Sequence, residues 1–328
     1  MATNQCISQI ACLVLMSLGF GTVGPTHGQT FPSNVIRIIV PTAPGTPPDI
    51  ISRVIATEVS ATEGWRMSVE NKPGALQTIG MAEVLKQPAD GLSIYPMSVP
   101  TMAVPALLPQ MGLRPEIDFA PITKVSRSFN VLVVTPSFPA RSISELVAAL
   151  KRDPGKFNFS SAGFGTPAHL IGEMFKLQTG VQVTHVPYQQ PQQRIADLLT
   201  GINQFDFLAS VSAGDFVATG KLRALAVTGS DRVTSLKDIP TVVEQGFPGL
   251  IVEDYVGFAV KSGTSTDIVA RLNETVGRAL KRPSVREAFA KLGAEPAGGT
   301  SAEFGELIRS QVAHWGRVVK ESGIKMPQ

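Results

Sequence analysis

The sequence predicts an α/β protein of two lobes, and three observations lead there. The chain has 328 residues, more than one ordinary core encloses and suited to two lobes of roughly 100–200 residues each. Beyond residue 28, short apolar runs alternate with stretches of helical spacing, the pattern of sheets flanked by helices. The runs at Val131 and Val256 are candidate crossings between lobes. Two crossings would build one lobe from residues 29–129 and 252–328 and the other from 130–251, with a ligand cleft between them.

The elements follow in order. Val35–Val40 reads as a buried strand, and Asp49–Ser60 as a helix with Ile50, Ile51, Val54 and Ile55 on one face and Asp49 as N-cap. Met67–Glu70 and Leu92–Met97 read as strands around a short helix at Ile79–Leu85. Val131–Val134 opens a second set, in which Ser142 and Glu145 form a capping box leading into Leu146–Lys151. Next come a strand at Phe157–Phe159, a helix at Thr166–Thr179 stopped by Gly180, a strand at Val181–Val186, a helix at Gln192–Leu199 and a strand at Leu222–Val227. The tail holds one strand, Val256–Val260, then a helix from Thr266, a helix at Ser284–Leu292 and a last helix from the capping box Thr300–Glu303. No repeat of fixed period is visible.

Composition narrows function. Hydrophobic residues make up 43%, charged residues 17%, and the formal charge is +3 with no basic run, so neither a nucleic-acid groove nor a basic membrane patch is expected. Residues Met1–Gly28 contain no Lys, Arg, Asp or Glu, and the apolar stretch Ile7–Phe20 is too short to span a bilayer. Small residues follow, and Gly19, Gly21, Gly24 and Pro25 would break a core helix, so the segment reads as a secretory signal peptide and the protein as periplasmic. Both cysteines, Cys6 and Cys12, fall inside it, leaving a mature chain without disulfide or thiolate. The four histidines are scattered without metal-ligand spacing; no metal and no cofactor are expected.

Two strand-to-helix turns stand out: Val40–Asp49, with Thr42, Ala43, Gly45 and Thr46, and Ser160–Leu170, with Ser160, Ser161, Ala162, Gly163, Gly165, Thr166 and His169. In the second, Thr166 suits an N-cap and Pro167 the first helical position, while the glycines let the backbone approach a ligand. The free amides and dipole of a helix start make a natural carboxylate site, to which Ser160, Ser161 and Thr166 would add hydroxyls. Neither turn carries a dinucleotide or phosphate-loop pattern.

The stretches FPSNVIRIIVPTAPGTPPDIISR, VENKPGA, FNFSSAGFGTPAHLIGEMF, VTHVPYQQ, GKLRALAVTGSDR, DIPTVVEQGFPG and DIVARLNETVGRAL resemble, in order and over nearly the whole mature chain, the substrate-binding receptors of tripartite tricarboxylate transporters, also called Bug-type solute receptors. The resemblance implies a type II periplasmic-binding-protein fold, a solute held by the two turns, and membrane transporter subunits as partners. It implies that the first turn reaches a ligand carboxylate partly through water and the second directly. Departures bear on the ligand: Gly45-Thr46 where relatives carry two glycines, Gln189-Gln190 after Tyr188 where they often show Lys-Gly, and Leu208, next to Ala209, in place of a common acid. These changes argue against an amino acid or a polyanion and favour a less polar mono- or dicarboxylate, aromatic acids included.

His169, at the third helical position, should be neutral at a positive helix end, and reads equally as a packing residue or a ligand contact. Tyr188 divides the same way; His185 reads as core, Trp65 as packing, and Thr101 as a lesser cleft candidate. Asp49 has a sufficient structural role with Arg53 one turn on. The rival reading is a serine-type hydrolase using Ser161 and His169, though no G-x-S-x-G elbow is present. A monomeric solute receptor without catalysis is the reading adopted.

Overall fold

The computed structural model describes residues 31–233 and 236–326; the expected signal segment, with Cys6 and Cys12, lies outside them. Strand β1 (Ile36–Val40) pairs in parallel with β2 (Met67–Asn71) and β3 (Ser93–Met97). Helices α1 (Pro47–Glu63) and α2 (Thr78–Lys86) make the crossovers. Asp49 is not the N-cap of α1: Thr46 takes that position, because Pro47 and Pro48, which lack amides, fill the first two helical places.

Helix α3 (Val99–Leu107) had no counterpart in the expectations. Its sequence is apolar all round because it is buried on nearly every side, so it lacks the one-faced periodicity of a surface helix. A capping box between Ser98 and Thr101 starts it. After a single turn, α4 (Pro115–Asp118), comes β4 (Phe119–Val134), a strand of 16 residues of which only the last four were legible.

The middle of the chain runs α5 (Ile143–Arg152), β5 (Asn158–Ser161), α6 (Pro167–Thr179), β6 (Thr184–Pro187), α7 (Pro191–Thr200), β7 (Phe205–Ala209), α8 (Ser210–Ala218) and β8 (Arg223–Val227). The tail adds β9 (Glu253–Lys261), α9 (Thr266–Leu280), α10 (Pro283–Ala290), β10 (Ala294–Gly298) and α11 (Ser301–Ser322). Capping works as read at two helices, where Ser142 Oγ accepts from Glu145 and Thr300 and Glu303 cap each other, and at α9 Ser265 Oγ adds a cap by accepting from Ile268.

Strand order is β2-β1-β3-β9-β4-β7-β5-β6, with β8 and β10 also pairing with β4. The first part of β4 pairs antiparallel with β9 and β10, while Asn130–Val134 pairs with β7 and β8. One strand therefore belongs to both halves of a two-lobed α/β fold. An apolar cluster under β1 joins α1, α9 and α10 through Ile38, Ile55, Leu272 and Phe289. A larger one holds Tyr95, Phe175, Phe207, Phe304 and Trp315, and through it α11 packs on both α3 and α6. Each of these fully buried aromatics contributes about 1.5–3 kcal/mol of transfer free energy.

Candidate functional site

Both glycine-rich turns adopt one local design. In the first, Thr46 is extended, its Oγ1 donates to Ala43 O (2.8 Å), Gly45 has φ 83°, and the Gly45 amide donates to Asp49 Oδ2 (2.9 Å). In the second, Thr166 is extended, its Oγ1 donates to Gly163 O (2.7 Å), Gly165 has φ 71°, and the Gly165 amide donates to His169 Nδ1 (3.0 Å). A Gly-Thr-Pro unit followed two residues later by an acceptor encodes both, and the sequence already showed it as Gly45-Thr46-Pro47-Pro48-Asp49 and Gly165-Thr166-Pro167-Ala168-His169.

The two acceptors differ in charge. Burial works against ionisation of Asp49, but hydrogen bonds from Arg53, Gly45 and Asn71 outweigh it and hold the carboxyl below its usual range. His169 is pushed down to about 4, chiefly by burial and also by Lys176, so it is neutral. With Nδ1 accepting from Gly165, its proton lies on Nε2.

The turns meet at a cavity of about 310 Å³ between the halves, at the small end of the range for solute sites. Four helix starts line it: Thr46, Pro47 and Pro48 of α1; Ser98 and Pro100 of α3; Thr166, Pro167 and Ala168 of α6; and Ala209, Ser210 and Val211 of α8. The first amides of a helix have no partner within it, and each start carries partial positive charge, so the cavity is built for an anion. A larger hollow of about 540 Å³ opens between β10 and α11, but its Lys124 and Arg127 are paired with Glu253 and Glu295.

Of the expected site residues, Thr42, Thr46, Ala162, Thr166 and Ala209 line the cavity. Ala43 and Gly45 are exposed on the first turn, and Gly163 and Gly165 shape the second from beneath. A Cβ on Gly165 would sit 2.4 Å from Leu76 Cδ2, so the second turn lies close against the opposite half and a side chain there would displace the end of Leu76. Leu76 itself lies in a run of left-handed non-glycine residues, Ala75, Leu76 and Gln77.

The remaining expectations change. Ser160 is fully buried and its Oγ donates to Asp206, which Arg194 also grips through two nitrogens. Burial pushes the Asp206 carboxyl up, while Arg194 and Ser160 oppose it. Ser161 is equally buried; its Oγ bonds Gly163 and lies 2.6 Å from Nε2 of His185, not of His169. The pair required by the hydrolase reading is therefore not formed. His185, expected in the core, is half-buried and stacks on His169 with ring centroids 4.1 Å apart; burial, then His169, push it down to about 3. The Tyr188 hydroxyl donates to Asp197 and accepts from Asn203, Gln189 is exposed, and Leu208 is buried among Val131, Val133 and Leu198. Thr101 is buried one layer back, donating to Gln77 Oε1 at 2.8 Å, and Trp65 packs edge-on against Phe31.

The cavity floor was missed. Ser126, Ser128 and Asn130 project from alternate positions of β4, beside Asp254, Tyr255 and Val256 of β9. Gln77 and Arg194 add to its walls. The period-two spacing Ser126-x-Ser128-x-Asn130 was the available signal. Asp254 also removes the basis for excluding an amine-bearing ligand, since Leu208 does not leave the cleft without an acid. Among the described residues, no group of three or more His, Cys, Asp or Glu is placed to hold a metal ion.

Comparison with known proteins agrees with this geometry. A family model described as "Tripartite tricarboxylate transporter family receptor" matches residues 51–324. Protein BugT of Bordetella pertussis is 32% identical over 308 residues, covering 93% of this chain and 94% of that protein. Among solved structures, a periplasmic transporter superposes with a TM-score of 0.79 at 38% identity, covering 90% of this chain and 99% of that one. A Rhodopseudomonas palustris protein with adipate gives 0.79 at 30%, with coverage of 90% and 99%. MatC of the same organism, with bound malate, gives 0.77 at 28%, with coverage of 88% and 100%.

Proposed function

The chain belongs to the tripartite tricarboxylate transporter receptor family, and from that premise we propose that it is an extracytoplasmic receptor that captures a small carboxylate without changing it chemically. The family consists of periplasmic solute-binding receptors, not enzymes. The observation that carries the reading is the convergence of four helix starts on one small cavity.

The solute is a mono- or dicarboxylate, aromatic acids included. Its carboxylate meets the start of α6, where the Ala168 and His169 amides lack helical partners and the Thr166 hydroxyl turns from Gly163 O to the solute. The lobes, 29–129 with 252–328 and 130–251, then close about β4 and β9, and Thr42 and Thr46 complete the cage. Ser160, Ser161, Gly163, Gly165 and His169 act by holding the second turn in shape, and Tyr188, Gln189 and Leu208 support it from outside the cavity. Residues 1–28 direct export to the periplasm, and the closed monomer presents its surface to membrane transporter subunits, for uptake or sensing.

A thermal-shift screen of the mature protein against mono-, di- and tricarboxylates, amino acids and aromatic acids tests this. A ligand at a hundred times its Kd adds about 2.7 kcal/mol. A shift confined to acids, weakened five- to tenfold in affinity by Thr166→Ala, supports the receptor reading. Folded, ligand-free protein that responds to no acid would sink it.

A further inference from the structure

Asp254 is the unneutralised charge of the cavity wall. It is half-buried, and its Oδ1 accepts only the amide of Tyr255 (2.9 Å); among the described residues no Lys, Arg or His pairs with it. The guanidinium that reaches the cavity, Arg194, is held by Asp206. The neighbouring Glu253 is paired with Lys124 and adds negative potential. Burial, reinforced by Glu253, pushes the Asp254 carboxyl up to about 6. Strand register sets Asp254 opposite Ser128 on β4. One further group lining the cavity has unused hydrogen-bonding capacity: Asn130 Nδ2 is buried without a partner, in a residue that is 3% exposed. A buried polar atom left unpaired is destabilising, so this pair of groups is incomplete until a ligand meets it.

We propose that Asp254 accepts a hydrogen bond from an ammonium or hydroxyl carried by the solute away from its carboxylate, so that the receptor selects amino- or hydroxy-substituted acids over plain mono- and dicarboxylates. This rests on the carboxylate reading above and deepens it. Charge balance carries the choice. The solute's carboxylate sits at the start of α6, and a second at its far end would face Asp254 with no cation between them. An ammonium would pair directly with Asp254, and a hydroxyl can donate to Asp254 while its oxygen accepts from Asn130. An unsubstituted chain end leaves Asn130 Nδ2 without a partner and Asp254 with the Tyr255 amide alone.

The test is calorimetric titration with straight-chain acids of three to six carbons ending in methyl, hydroxyl, ammonium or carboxylate, on wild type and Asp254→Asn. The amide retains an acceptor for the Tyr255 N–H, and thermal unfolding checks that the variant folds. Wild type should bind hydroxyl- or ammonium-ended acids at least tenfold more tightly than methyl- and carboxylate-ended ones. Asp254→Asn should remove the ammonium preference and strengthen the dicarboxylate about tenfold. A wild type that prefers the dicarboxylate, or a ranking indifferent to Asp254→Asn while Thr166→Ala weakens every acid, overturns this assignment alone. Failure of every acid to bind overturns it together with the receptor reading.

Discussion

The two turns share a backbone and differ in charge. Each places a threonine at the helix start, a left-handed glycine before it and an acceptor four residues past that glycine. In the first turn the acceptor is the Asp49 carboxylate, tied to Arg53 and Asn71; in the second it is the neutral His169 imidazole, stacked on His185. An anion at a helix start uses up part of the attraction that the start could offer a ligand. The first turn is therefore partly self-satisfied, while the second keeps its positive end for the solute. The same geometry thus provides a supporting turn and a receiving one, and the choice lies in a single acceptor.

Substitutions that separate the turns should rank as follows. The largest effect is expected from Gly165→Ala, which adds left-handed strain of about 1–2 kcal/mol and displaces the end of the Leu76 side chain, 2.4 Å from the new Cβ. Gly45→Ala has open space around its Cβ and should cost only the same strain, about 1–2 kcal/mol, so denaturant unfolding should show the smaller loss for Gly45→Ala. Next, His169→Asp would give the second turn the first turn's charge without an Arg53. Carboxylate affinity should fall at least tenfold, about 1.4 kcal/mol; unchanged affinity by calorimetry would end the charge argument.

Acidification should loosen the second turn first. The folded pKa of His169, about 4, lies below its unfolded value of about 6.5. The unfolded state therefore binds the extra proton, and stability present above about pH 6.5 is lost as pH falls toward 4. The loss at pH 5 is on the order of 1–2 kcal/mol for His169, with His185 acting in the same direction. Asp49, held below its ordinary carboxylate range, should keep its bonds throughout this window. Amide exchange at Gly165 and Gly45 between pH 7 and 5 checks this, and equal responses would refute it. The smallest effects belong to Thr46→Ala and Thr166→Ala, the first removing bonds to Ala43 O and Thr42 Oγ1 and the second one bond to Gly163 O, each worth about 1 kcal/mol of stability. Thr46→Ala should cost the more stability by denaturant unfolding, while only Thr166→Ala should strongly weaken solute binding.

The lobes, the turns and most helix starts were legible because strand and helix periods, caps and glycine-proline punctuation are local signals. The cavity floor was not. In β4, Ser126, Ser128 and Asn130 interrupt the apolar pattern because they face the cavity rather than a core, and Lys124 and Arg127 because they pair with Glu253 and Glu295. Glu253 and Asp254 show the limit more sharply. Adjacent residues of a strand point to opposite faces; Glu253 pairs outward with Lys124, while Asp254 lines the cavity. Nothing in the pair Glu-Asp says which acid faces inward until the partner strand is known. Ser160 and Ser161 misled for a related reason: their hydroxyls looked available beside a helix start, but neighbouring strands supply Asp206 and His185 to take them.

Strand β9 lies between β3 and β4 in the sheet, although β3 precedes it in the chain by more than a hundred residues. The sheet of β1–β3 therefore has no hydrogen-bonded link to β4 until Glu253–Lys261 arrives. The strands β4 to β8, by contrast, are contiguous in sequence and pair among themselves. Contacts that close such long loops form late and slowly. As the polypeptide is synthesised, its middle can assemble while its beginning waits for its end, leaving the leading segment attached to the part of the molecule that is last to become rigid.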